Sequence, residues 1–151
     1  MPRIEREDEV KAPPERVWAL ISDASRFPEW VEFTDRIVEA PQGAMAVGST
    51  WREYGGVPPF KSEMQWRMTE FDAPLRQVSV GEDKRARIEL ALELTPSGEG
   101  TRVRAQMDAQ PRGVMAPIVK VMWPLLMRGR AQRAMEGTFA NAKRILEAET
   151  D

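Results

Sequence analysis

Three stretches of this chain alternate between inward and outward residue types almost without error, and that regularity limits the fold more than any other feature. From Phe60 to Met68 one parity holds Phe60, Ser62, Met64, Trp66 and Met68, with Lys61, Glu63, Gln65 and Arg67 between them. A second stretch sets Ala86, Ile88, Leu90, Leu92 and Leu94 against Arg85, Arg87, Glu89 and Glu93, and a third sets Thr101, Val103, Ala105, Met107 and Ala109 against Arg102, Arg104, Gln106 and Asp108. A period of two sends successive side chains to opposite faces of a strand. These are strands of an antiparallel sheet with one wet face and one buried face.

The remaining elements follow from weaker signals. Residues 3–11 alternate, with Ile4, Arg6, Asp8 and Val10 on one side, and Pro13–Pro14 ends that strand. Pro14 and Glu15 suit the first turn of a helix, where an amide is free and the helix dipole favours a carboxylate. Val17, Leu20, Ile21 and Ala24 continue it at helical spacing, and a second short helix is expected over Ser25–Glu29, anchored by Phe27 and Trp30. Strands are expected at 36–40, at 50–54 and around Val78 and Val80, with turns at 43–48, 55–59, 72–74, 81–83 and 96–100. Ala131, Met135, Phe139, Ala142 and Leu146 form one stripe of a long terminal helix. Pro124 lacks an amide hydrogen, so a short helix over 113–122, a kink or break, and a long helix over 125–148 are expected.

The fold class read from this order is α+β: a seven-strand curved antiparallel sheet wrapped around a long C-terminal helix, with two short helices between strands 1 and 2. The last helix is the one element long enough to cover the sheet. At 151 residues, 42% hydrophobic and 30% charged, one globular domain over 1–151 is expected. A single helix cannot fill the whole concavity, so an apolar pocket is expected between helix and sheet.

Composition removes many functions. The chain has no cysteine and no histidine, which excludes thiolate nucleophiles, Ser-His-Asp triads, HExxH zinc sites and the two-histidine iron site. No metal and no cofactor are expected, and any catalysis would rest on carboxylates, Arg, Lys, Tyr or hydroxyls. A net charge of -2 gives no basic footprint for nucleic acid. Arg128, Arg130 and Arg133 read as the solvated face of the last helix. Residues 1–8 hold no apolar run of a signal peptide, and 114–127 is too short and too interrupted to span a bilayer, so a cytoplasmic location is expected. A monomer or weak homodimer is expected.

The run Ala12–Trp18, then Asp23, then Phe27–Trp30, resembles the opening of the START-like (SRPBCC) superfamily in its polyketide cyclase/dehydrase-like branch. Gly48 before the third strand, Trp66 through Pro74 to Arg76, and Gly98–Val103 resemble that branch's hairpins, so the resemblance spans essentially the whole chain. It implies a helix-grip fold. The superfamily includes lipid carriers, plant hormone and allergen proteins, aromatic polyketide cyclases, coenzyme Q-binding proteins and ring-hydroxylase subunits, and the iron-binding members need histidines that this chain lacks.

Candidate pocket residues are Arg6, Asp8, Trp30, Tyr54, Met64, Trp66, Leu90, Met107, Trp123 and Met127. Arg6 and Asp8 share a face with Ile4 and Val10, so they either form a paired polar floor for a ligand or lie at a solvent-exposed strand end. On the third strand either Arg52 with Tyr54 or Trp51 with Glu53 faces inward. Asp8, Arg52, Glu53 and Tyr54 are the candidates for proton transfer. The methionines suit a flexible apolar ligand and equally an ordinary core. The first expectation for function is binding or transport of an apolar small molecule such as a lipid, an isoprenoid or an aromatic, polyketide-like compound. The alternatives are a cyclase/dehydratase-type enzyme and a regulatory or partner-binding protein acting through segment 113–127.

Overall fold

The computed structural model describes residues 2–148. Seven strands form one sheet: β1 (Arg3–Val10), β2 (Thr34–Glu39), β3 (Thr50–Val57), β4 (Phe60–Asp72), β5 (Arg76–Glu82), β6 (Ala86–Ser97) and β7 (Gly100–Pro111). Their order is β1-β7-β6-β5-β4-β3-β2 with every neighbour antiparallel, so β2 to β7 run as a meander and β1 joins the β7 edge. Register lines up Ile4, Met107, Leu90, Ser79 and Met68 in one row across five strands. The next row holds Trp51, Trp66, Gly81, Ile88 and Ala109.

The three alternating stretches become the long strands β4, β6 and β7, each extending beyond its sequence signal. The expected turn at 55–59 is shorter than anticipated, because β3 continues through Gly55 and Gly56 to Val57 and only Pro58 and Pro59 make the bend. Gly55 is in that strand for contact reasons. A Cβ there would lie 1.8 Å from the Phe33 carbonyl oxygen, whose hydrogen bond to the Gly56 amide ties the segment before β2 onto β3.

Between β1 and β2 lie α1 (Pro14–Ile21), a 3-10 turn (Ala24–Arg26) and α2 (Phe27–Trp30). The Asp23 side chain accepts from the Ser25 amide and starts that turn. Phe27 stands edge-on to Trp30 and Trp51, and Trp51 stacks on Trp66 at 6.3 Å. This aromatic chain fixes α2 on the sheet.

At Pro124 the expected kink or break takes the form of a π turn. α3 (Met115–Met122) passes through this turn (Trp123–Met127) into α4 (Arg128–Ala148). Pro124 sits inside it, where the Arg128 amide reaches back five residues to the Trp123 carbonyl. The wider loop accommodates the missing amide while helical structure continues on both sides.

α4 lays Ala131, Met135, Thr138, Phe139, Ala142 and Leu146 on the sheet's inner face. It touches β1 near one edge and β3 near the other, so the sheet closes round it. Thr138 accepts from the Glu32 amide, Asn141 donates to the Trp30 carbonyl, and Arg16 donates to the Leu146 carbonyl. The outer face carries cross-strand ion pairs such as Arg3 with Asp108, Arg104 with Glu5, and Arg102 with Glu7 and Glu9, each of small individual worth.

Gly55→Ala is expected to lower the unfolding free energy by roughly 1–3 kcal/mol, the usual cost of overpacking. Urea unfolding measures it, and an unchanged midpoint would mean that the Phe33 segment does not press on β3.

Candidate functional site

The sheet and α4 do not meet everywhere. A cavity of about 210 Å³ remains between them. Its walls come from Ile4 and Val10 on β1, Met64 and Trp66 on β4, Ile88, Leu90 and Leu92 on β6, and Val103, Ala105 and Met107 on β7. Met115, Val119, Trp123 and Met127 roof one end, and Met135, Phe139 and Leu146 of α4 roof the other. Asp83, Arg85 and Pro111 line the outer end, where the β5–β6 hairpin and the end of β7 meet α3.

One stretch of the wall is polar. On β3 the buried parity is Trp51 and Glu53, which settles the choice that the sequence leaves open. Glu53 is only 8% exposed, and among the described residues its one hydrogen bond comes from the Thr34 hydroxyl at 3.0 Å. Burial pushes its carboxyl up to about 7, and the Thr34 hydrogen bond offsets only part of that rise. Near neutral pH this group is a protonated acid for much of the time, able to donate as well as accept.

A small side chamber of about 40 Å³ adjoins this point, lined by Trp30, Thr34, Trp51, Glu53, Trp66, Gln77 and Ser79. Among the described residues, the buried side-chain polar atoms without a hydrogen-bond partner are Arg6 Nε, Trp30 Nε1, Trp51 Nε1 and Gln77 Oε1. The last three belong to residues of this chamber. Unsatisfied buried groups each cost on the order of 1–3 kcal/mol, so three of them among the residues of one chamber weigh against stability alone as the reason for these side chains. Gly81 shapes the wall, because a Cβ on it would stand 2.5 Å from the Trp66 indole that lies over it.

The sequence candidates divide by position. Trp30, Met64, Trp66, Leu90, Met107, Trp123 and Met127 line the cavity, and Arg6, Asp8 and Tyr54 do not. Tyr54 and Arg52 have the outward parity of β3, where the Arg36 guanidinium covers the Tyr54 ring at 4.4 Å and Arg52 bridges Glu39 and Glu63. Arg6 and Asp8 form an ion pair at 3.5 Å, but Phe139 and Lys143 of α4 cover it. The Arg6 guanidinium lies over Phe139, and Lys143 reaches Asp8 at 2.8 Å. Burial alone would raise the Asp8 pKa, but hydrogen bonds from Lys143 and the Glu9 amide and the charges of Lys143 and Arg6 bring it below its ordinary value. The pair clamps α4 to the edge strand instead of flooring the cavity.

The sequence did not mark out Thr34, Gln77 and Ser79. The sequence places a strand around Val78 and Val80, and register puts Gln77, Ser79 and Gly81 of that strand beside Leu92, Leu90 and Ile88 on the cavity face. Among the described residues no three Asp or Glu side chains gather as a metal site would need.

An antiparallel sheet gripping a long helix over an apolar cavity defines the helix-grip class of START-like (SRPBCC) proteins. Within it, the chain belongs to the family described as polyketide cyclase / dehydrase and lipid transport, whose sequence profile matches residues 1–147. No curated protein matches the sequence. Among solved structures, TTHA0849 from Thermus thermophilus is similar at 20% identity and a TM-score of 0.79, covering 99% of this chain and 100% of that one. The ZhuI aromatase/cyclase from Streptomyces sp. R1128 is similar at 12% identity and 0.79, covering 99% and 96%. Protein CV1439 from Chromobacterium violaceum is similar at 15% and 0.70, covering 97% and 99%. At these identities the likeness is one of fold.

Glu53 gives the site a pH signature. Between the ordinary 4.5 and about 7 the folded chain holds a proton that the unfolded chain releases. Its contribution therefore makes stability fall as pH rises through that window, by roughly 3 kcal/mol in all, and levels off above it. Glu53→Gln should remove this fall. Unfolding free energies of both proteins measured across the window test it, and parallel curves would contradict it.

Proposed function

We propose that this protein binds or carries an apolar small molecule, of lipid, isoprenoid or aromatic polyketide-like character, with a carbonyl or hydroxyl group turned toward Glu53. The observation that carries this reading is the pairing of hydrocarbon walls with the buried Glu53 carboxyl, which also borders a small chamber whose lining residues Trp30 and Trp51 hold indole nitrogens without a hydrogen-bond partner among the described residues. Apolar walls supply affinity in proportion to area, and a few placed polar groups supply orientation. A ligand oxygen at Glu53 would accept a hydrogen bond from the carboxyl when it holds its proton.

Two probes of similar shape separate this reading from unspecific apolar uptake. Calorimetric titration should give 2-acetylnaphthalene an affinity about tenfold above 2-ethylnaphthalene, the worth of one buried hydrogen bond. Glu53→Met should erase the preference and keep the hydrocarbon's affinity. If neither probe binds, or if the preference survives in the variant, the reading fails.

A second reading, a cyclase/dehydratase-type enzyme, rests on the same carboxyl. An acid with a pKa near the working pH is suited to protonate or polarise a ketone oxygen during aldol closure. Asp8, Arg52 and Tyr54 do not line the cavity, so this reading depends on Glu53. Turnover of a poly-β-ketone that is lost in Glu53→Gln would favour it, and unchanged turnover would remove it.

A further inference from the structure

The helical segment 114–127 is apolar on two sides at once. Met115, Val119, Trp123 and Met127 face the cavity. Val114, Ile118, Val121 and Leu125 stand outside, with relative exposures of 80, 42, 62 and 80%. Their spacing of four, three and four residues places them along one stripe, with Leu126 at its border. A helix that is apolar all round is ordinarily buried in a core or in lipid. Among the described residues nothing covers this outer stripe.

The charge around it is one-sided. Between Asp108 and Glu136 the charged residues are Arg112, Lys120, Arg128, Arg130 and Arg133, in a chain whose net charge is -2. Arg112 is bridged to Glu82, and Arg130 donates to the Pro58 carbonyl. Lys120, Arg128 and Arg133 make no ion pair among the described residues, and neither do Lys84 and Arg85 in the β5–β6 hairpin beside α3. On the sheet most arginines are matched to carboxylates, Arg3, Arg52, Arg76, Arg87, Arg102 and Arg104 among them, whereas Arg36 lies over Tyr54 and Arg67 makes no ion pair among the described residues. An exposed apolar stripe bordered by unmatched cations complements an anionic lipid surface, where hydrocarbon enters the headgroup boundary and each base adds attraction. Among the described residues no helix is long and apolar enough to cross a membrane, so this surface would lie on the bilayer.

We propose that the outer face of residues 114–128 is a docking surface for an anionic lipid bilayer. It follows from surface chemistry alone and does not depend on what the cavity holds. Docked this way, the helix has bilayer on one side and the cavity on the other. Arg85 and Pro111, at the cavity's outer end, come close to the headgroups.

Flotation of the full chain with vesicles of phosphatidylcholine, with and without phosphatidylserine, tests the proposal. The protein is expected to float with the phosphatidylserine vesicles and to be released by salt. The double substitution Val121→Asp with Leu125→Asp should abolish flotation and leave the thermal midpoint unchanged, because neither residue is buried or lines the cavity. Lys120→Glu and Arg128→Glu should each weaken binding about fivefold or more. Failure to float with phosphatidylserine vesicles, or equal flotation with both kinds, would overturn the proposal. So would a wild-type dimer in solution that the double substitution turns into a monomer, which would make the stripe an interface between two copies.

Discussion

A single helix offers a sheet one apolar stripe, and seven strands present more inward surface than one stripe can cover. The rest of the structure follows from that mismatch. α4 fills the middle of the concavity, and α3 and the π turn roof part of what is left. The β1 edge is drawn in by the Asp8–Lys143 and Arg6–Phe139 contacts, and the β3 side by Thr138 and Asn141 through the α2 segment. The remaining space is lined almost wholly by hydrocarbon.

In such a space one polar group matters more than the walls do. Glu53 cannot ionise there at its ordinary pKa, because the charge would lose water and gain only the Thr34 hydroxyl. The indole nitrogens of Trp30 and Trp51 and the Gln77 oxygen have no partners among the described residues, and their residues line the small chamber that Glu53 also borders. Stability alone would favour apolar side chains at these positions. The proposed ligand binding rests on these groups. The same logic applies outside, where an exposed apolar stripe bordered by bases serves no purpose for the fold by itself.

Much of the fold was legible in the sequence. The period of two in β4, β6 and β7 and the stripe from Ala131 to Leu146 dictated sheet and helix directly, and the Ala12–Trp30 motifs pointed to the same family. The inward parity of β3 was not legible, because both parities pair an aromatic residue with a charged one. Only the seating of Trp51 between Phe27 and Trp66 selects Glu53. The facing of β5 was not legible either, because both its parities are buried, Val78 and Val80 on one and Gln77 and Ser79 on the other, and pairing with Leu92 and Leu90 of β6 puts the second pair on the cavity face. Pro124 signalled an irregularity in the terminal helix, and a π turn is the form it takes. Arg6 and Asp8 do have the inward parity, but their covering by Phe139 and Lys143 is a long-range contact that no local pattern announces.

The central claim is that Glu53 sits as a largely neutral acid in the wall of an apolar cavity. Carbon-13 NMR titration of its labelled side-chain carboxyl tests this most directly. A midpoint near 7 is the expected result; a midpoint at the ordinary 4.5 would mean that the carboxyl meets water, and the buried acid described here would not exist.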